Sequence, residues 1–174
     1  MLKDREDAYE LLKALGATKP LIAHAELVGD AADRILMEYQ AVGIACDASL
    51  VELGAVLHDA GKIQHPLELA EAGSKHEQAG QSLLLAHAVQ PAVARCCATH
   101  GAWNLPDVSF EERTVALADK LWKGKREPQL ELSIIDEIAE RLEVSRWDVF
   151  ERLDSAFEKI ADRGDERLQR TRLE

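Results

Sequence analysis

Aromatic residues make up only 5% of this 174-residue chain, so a core has to be assembled from the Ala, Leu, Val and Ile that dominate its 47% hydrophobic content. A chain of this length forms one domain and can bury about 70% of its unfolded surface without covalent staples. Cysteine is as scarce: Cys46, Cys96 and Cys97 are the only three. The last two are adjacent and unable to close a normal bridge, which excludes a disulfide framework, and no CxxC offers a structural zinc site. Small buried packing residues are the better reading of Cys96-Cys97 than a redox centre. Basic residues are outnumbered, 21 Lys and Arg against 32 Asp and Glu for a net charge of −11. That balance excludes a protein held on duplex nucleic acid or an anionic membrane by overall charge, although a local basic pocket stays open. No run approaches the roughly 18 apolar residues of a membrane span, and Met1 to Asp7 is charged where a signal peptide needs an apolar stretch. A cytoplasmic location is expected.

What is abundant is helix-forming sequence. Ala and Leu recur at helical spacing and alternating β-branched runs are few, so the chain reads as all-α, a single helical bundle of about seven to eight helices. Three capping signals, Ser74 to Glu77, Ser109 to Glu112 and the weaker Ser145 to Asp148, should each open a helix. Helices are expected near 4–15, 19–42, 47–59, 75–88, 91–100, 110–122, 130–142 and 146–162. Gly43 ends the second, Gly61 and Pro66 interrupt the chain after the third, and Pro91 suits a first helical turn. Trp147, Phe150, Leu153 and Phe157 recur at helical spacing and are expected to form the core face of the last helix. The domain is expected to span 1–162, followed by a charged, solvated tail at 163–174.

Six histidines are present: His24, His58, His65, His76, His87 and His100. His58-Asp59 closes the apolar helix Leu50 to Leu57 beside a sharp turn at Gly61, where adjacent ligand types can diverge toward one ion. Alone, such a pair is better explained by a histidine favoured at a helix C-terminus. His24, however, sits among Leu21, Leu27 and Val28 on an inward face, where an imidazole needs a partner. Asp119 repeats the pattern inside Val115 to Trp122, where an unpaired buried charge would cost several kcal/mol. Inward ligands on separate helices want a shared cation.

His24, His58-Asp59 and Asp119, in this order on successive helices, resemble the signature of the HD superfamily of metal-dependent phosphohydrolases. The segments His76-Glu77-Gln78-Ala79-Gly80 and Ala98-Thr99-His100-Gly101 resemble the additional histidine motifs of its binuclear branches, such as bacterial diadenosine tetraphosphatases. The resemblance implies a ligand set of four histidines and two aspartates. Asp59 would bridge two ions, with His24, His58 and Asp119 completing one site and His76 and His100 the other. It also implies hydrolysis of a phosphomonoester, phosphodiester or phosphoanhydride of a nucleotide or nucleic-acid end by a metal-activated bridging water, with Asp59 and Lys62 as catalytic residues. Mixed His/Asp ligation without thiolate favours two divalent Fe or Mn ions, with Ni, Co, Zn or Mg also compatible. The segment after Asp119 runs Lys-Leu-Trp-Lys, where those tetraphosphatases have a Tyr-Ile-Glu-Pro-like sequence.

Further candidates for substrate contact carry two readings each. His65 either reaches substrate or is an exposed loop histidine, and His87 is explained by its helix end. Lys120, Trp122, Lys123 and Arg126 lie in a basic and aromatic patch that either holds phosphate and a base or complements a helix dipole. Arg95 and Trp103 either touch substrate or pack ordinarily. The partner expected is a small phosphorylated molecule, and a homo-oligomer is compatible with the sequence. Two other functions fit the same ligands: a mixed-valent di-iron oxygenase of the HD type, and a non-catalytic nucleotide-binding signalling module.

Overall fold

Eight α-helices and two 3₁₀ turns, with no strand among the described residues, make up this computed structural model, which describes residues 2–162 together with 164, 166 and 167. The helices are α1 (Arg5–Ala14), α2 (Lys19–Val42), α3 (Ala48–Leu57), α4 (Lys75–Ala86), α5 (Pro91–Thr99), α6 (Phe110–Leu121), α7 (Pro128–Arg141) and α8 (Arg146–Ala161). Their ends follow local chemistry. Asp4 and Asp47 accept hydrogen bonds from Asp7 N and Leu50 N. Ser109 and Ser145 form the expected capping boxes with Glu112 and Asp148. Pro20, Pro91 and Pro128 occupy first-turn positions that need no N–H donor. Gly43 stops α2 in the left-handed conformation at φ 85°.

The helix α3 is the centre of the arrangement. Val51, Leu53, Gly54, Ala55, Val56 and Leu57 are buried, so nearly every side of the helix is covered, and it packs against α1, α2, α5 and α6. On one side α2, α6, α7 and α8 enclose Ile35, Tyr39, Phe110, Leu117, Ile134, Leu153 and Phe157. On the other, α1, α4 and α5 close over Leu12, Leu57, Leu84 and Val93. Small residues let the helices approach: a Cβ on Gly54 would meet Cys96 Sγ at 2.8 Å and Val115 Cγ2 at 2.9 Å. Cys96 and Cys97 are both fully buried and their thiols are pushed up by burial.

Two expectations need correction, and the interruption expected after α3 takes a defined form. Ser74 makes no side-chain cap at α4; the carboxylate of Glu68 takes that place, accepting from Lys75 N at 3.2 Å and His76 N at 3.0 Å. The stretch after α3 forms 3₁₀ turns at Ala60–Ile63 and Pro66–Leu69. Trp147 is 71% exposed, standing edge-on to Phe150. The buried stripe of α8 is Val149, Leu153, Ala156, Phe157 and Ile160. At about 100° per residue, Phe150 lies roughly 80° and Trp147 roughly 140° from the centre of that stripe. The tail expected at 163–174 lies, apart from residues 164, 166 and 167, outside the described residues. No helix among the described residues is long and apolar enough to cross a membrane.

Candidate metal centre

Five helices deliver six side chains to one cleft. His24 comes from the second turn of α2, between buried Leu21 and Val28. His58 caps the C-terminus of α3, and Asp59 leaves the helix at φ −102°, ψ 12°, so the two neighbouring side chains diverge. His76 lies in the first turn of α4, His100 caps the C-terminus of α5, and Asp119 belongs to the last turn of α6. The 3₁₀ turn after Asp59 lies directly on α4: a Cβ on Gly61 would stand 1.9 Å from His76 O and 2.5 Å from Gly80 N. That backbone contact brings His76 to Asp59.

The carboxylate of Asp59 divides the ligands into two sets. Its Oδ2 lies 3.0 Å from His24 Nε2 and 3.6 Å from His58 Nε2. Its Oδ1 lies 3.1 Å from His76 Nε2 and 3.7 Å from His100 Nε2. Asp119 Oδ1 stands 3.6 Å from His58 Nε2 and 3.9 Å from His24 Nε2, on the first side. The triads His24/His58/Asp59 and Asp59/His76/His100 each present ligand atoms close enough for one ion.

The hydrogen bonds behind the rings show that these residues suit a metal. His58 Nδ1 donates to Ala55 O at 2.8 Å and His100 Nδ1 to Cys97 O at 2.9 Å. His76 Nδ1 donates to Glu68 Oε2 at 2.6 Å. Each such bond leaves the Nε2 lone pair facing inward, which is how ligand histidines are oriented by their outer partners. Asp59 Oδ1 and His76 Nε2 are buried without a hydrogen-bond partner among the described residues. Two buried lone pairs facing each other at 3.1 Å are stabilised by a cation between them. The same demand shows in the titration of the cluster. Burial resists charge on His58 and His76, but the neighbouring carboxylates overcome it and both imidazoles hold their protons above the usual range. Burial and His58 push His100 down to about 4. Asp59 and Asp119, despite burial, are held well below the carboxylate range by the surrounding histidines.

A cleft of about 590 Å³ opens over this cluster, with Pro20, Leu69 and Trp122 on its rim and Lys62, Lys120 and Lys123 reaching into it. Trp122 is 5% exposed, edge-on to His24, and donates Nε1–H to Asp119 Oδ1 at 3.3 Å, so it offers no stacking face. Other candidate contacts lie elsewhere. Arg95 pairs with Asp107 and Glu112, and Arg126 with Glu131 and Asp154; both are tied down by acids that sequence spacing does not flag. Trp103 lines a separate cavity with Leu105 and Pro106, and His65 is not among the residues lining the cleft.

Glu68 is the residue that sequence reasoning missed. It reaches forward eight positions to His76, and a Cβ on Gly73 would meet its carboxylate at 2.4 Å. Glu68→Ala is expected to weaken metal binding at the His76/His100 set by about 10- to 100-fold while leaving the His24/His58 set intact. Manganese titration with metal counting checks this, and equal weakening at both sets would contradict it. Glu68→Gln keeps an acceptor for the α4 amides and should fall between.

A family model for the HD domain matches residues 21–123. Neither the curated proteins nor the solved structures contain a significant match to the chain. His24, His58, Asp59, His76, His100 and Asp119 all fall within the matched span, on successive elements, and the chain belongs to the HD-domain family.

Proposed function

We propose that the protein is a binuclear, metal-dependent phosphohydrolase acting on a small phosphorylated substrate, with Fe or Mn as the metals that its His/Asp ligands suit best. The observation that carries the reading is the division of Asp59, with Oδ2 turned to His24 and Oδ1 to His76. His24, His58, Asp59 and Asp119 would hold one ion, and Asp59, His76 and His100 the other. Two such ions, when bound, polarise a phosphoryl oxygen and make a coordinated water acidic.

The chain's own residues supply the rest. Lys62 Nζ, 2.6 Å from Asp59 Oδ2, and Lys123 Nζ, 3.1 Å from Asp119 Oδ2, bring positive charge to the cleft beside the ligand carboxylates. There they would bind the non-bridging phosphate oxygens and stabilise charge that develops in the transition state. Water adds to phosphorus, the ester or anhydride P–O bond breaks, and the proton from water ends on the leaving oxygen.

The test is metal analysis of the purified protein, followed by phosphate-release assays over nucleotides, cyclic nucleotides, sugar phosphates and RNA ends with added Mn or Fe. Metal-dependent release that Asp59→Ala abolishes is expected. No release from any compound, or substrate-dependent oxygen consumption by the iron-loaded protein in its place, would overturn the proposal.

A further inference from the structure

The cleft is divided by charge along the same line that divides Asp59. Its three lysines all end on carboxylate oxygens of the His24 side: Lys62 on Asp59 Oδ2 at 2.6 Å, and Lys123 and Lys120 on Asp119 Oδ2 at 3.1 and 3.6 Å. The opposite wall, beside Asp59 Oδ1, is acidic. Glu68 there is already committed to His76 and to the amides of α4. Glu77 is not committed. It follows the ligand His76, lines the cleft, and places Oε1 where a Cβ on Gly101, the residue after the ligand His100, would come within 2.5 Å. A half-buried carboxylate is thus bracketed by the two histidines of the second set, and it makes no hydrogen bond or ion pair within the described residues.

Two physical consequences follow for a ligand whose phosphate lies on the lysine side. The remainder of the molecule meets Glu77, and an unpaired carboxylate there favours a hydroxyl or ammonium donor, since charge-assisted hydrogen bonds are the strong ones. A ligand without such a donor leaves the carboxylate desolvated and unpaired, which is the strongest means of rejection available to a polar site. A second phosphate on that wall would set like charges together. The cleft also offers no aromatic face for a base, because Trp122 is buried edge-on against His24.

Resting on the phosphohydrolase reading, we propose that the substrate is a phosphomonoester of a small alcohol bearing hydroxyl or amino donors, that Glu77 is the specificity-determining residue which receives those donors, and that polyphosphates are rejected. The step is hydrolysis of one ester bond to the free alcohol and inorganic phosphate, with water as the only co-reactant.

The experiment compares kcat/KM of the manganese-loaded full chain for glycerol 3-phosphate and ethanolamine phosphate with that for ethyl phosphate and pyrophosphate. A preference of at least about tenfold for the donor-bearing esters over ethyl phosphate is expected, the scale of one hydrogen bond to a charged group, with pyrophosphate the poorest. The relative rates of the first two distinguish hydroxyl from ammonium. Glu77→Gln should shrink the preference about tenfold, and Glu77→Lys should turn it toward pyrophosphate, with metal content verified in both variants. Pyrophosphate as the best substrate, or an unchanged preference in Glu77→Gln, overturns the proposal. If no ester is cleaved the hydrolase reading fails on its own, and calorimetric binding of 2-hydroxyethylphosphonate, ethylphosphonate and methylenediphosphonate decides the role of Glu77. Tighter binding of the hydroxylated phosphonate, lost in Glu77→Gln, supports it, and tightest binding of the diphosphonate refutes it.

Discussion

Asp59→Ala is expected to remove metal from both ligand sets at once and to lower phosphate release by roughly 10³-fold or more. Removing an outer-shell partner of a metal site costs about 10- to 100-fold, and Asp59 is no outer partner: its Oδ2 faces His24 and His58 and its Oδ1 faces His76 and His100. His76→Ala and Asp119→Ala should each lose the ion on one side only. The same variants separate folding from metal binding. Ions that bind only the folded chain stabilise it by about 2.7 kcal/mol when present at a hundredfold excess over Kd. At about 2–4 °C per kcal/mol for a domain of this size, wild type should gain about 5–10 °C in Tm from one site. Asp59→Ala should show no gain, and retention of two ions by Asp59→Ala would refute the bridging role.

How much of this was legible in sequence depended on the distance over which each interaction acts. The helices, and the capping boxes at Ser109 and Ser145, are set by contacts three or four residues apart, and the ordered pattern at 4–15 through 146–162 emerges from them with small shifts at the ends. His24 and Asp119 stood out because a polar group inside an apolar helix must have a partner. Glu68 does not stand out, because it serves α4 from within the preceding 3₁₀ turn Pro66–Leu69 while Ser74-x-x-Glu77 offers a better local match to a capping box. Arg95 and Arg126 looked available for the same reason: Asp107, Glu112 and Asp154, which engage them, come together only in the folded chain. The spacing of Trp147 to Phe150 suggests a core position, yet the pair shares a side of α8 without sharing its buried stripe.

Gly61 illustrates the same limit and carries the second large effect. In sequence it reads as a chain interruption after His58-Asp59; in the fold it is the point where two backbones touch. Its φ is not positive, so the requirement for glycine is one of space, and the obstructing atoms, His76 O at 1.9 Å and Gly80 N at 2.5 Å, are main chain that cannot rotate away. Gly80 returns the contact, since its own Cβ would meet Gly61 N at 2.8 Å. Gly61→Ala is therefore expected to destabilise the protein by about 3 kcal/mol, the upper end of overpacking, lowering Tm by about 6–12 °C. Because the displaced element is the first turn of α4, His76 should move off Asp59, and the ion of the His76/His100 set should be lost before that of the His24/His58 set. Gly43→Ala is the matched control: it sits at φ 85° with nothing within 4 Å, so it carries a local backbone cost of about 1–2 kcal/mol and should keep both ions. Thermal melts paired with metal counting decide the matter, and a Gly61→Ala protein as stable as wild type with both ions in place would show that the turn and α4 can separate without consequence for the site.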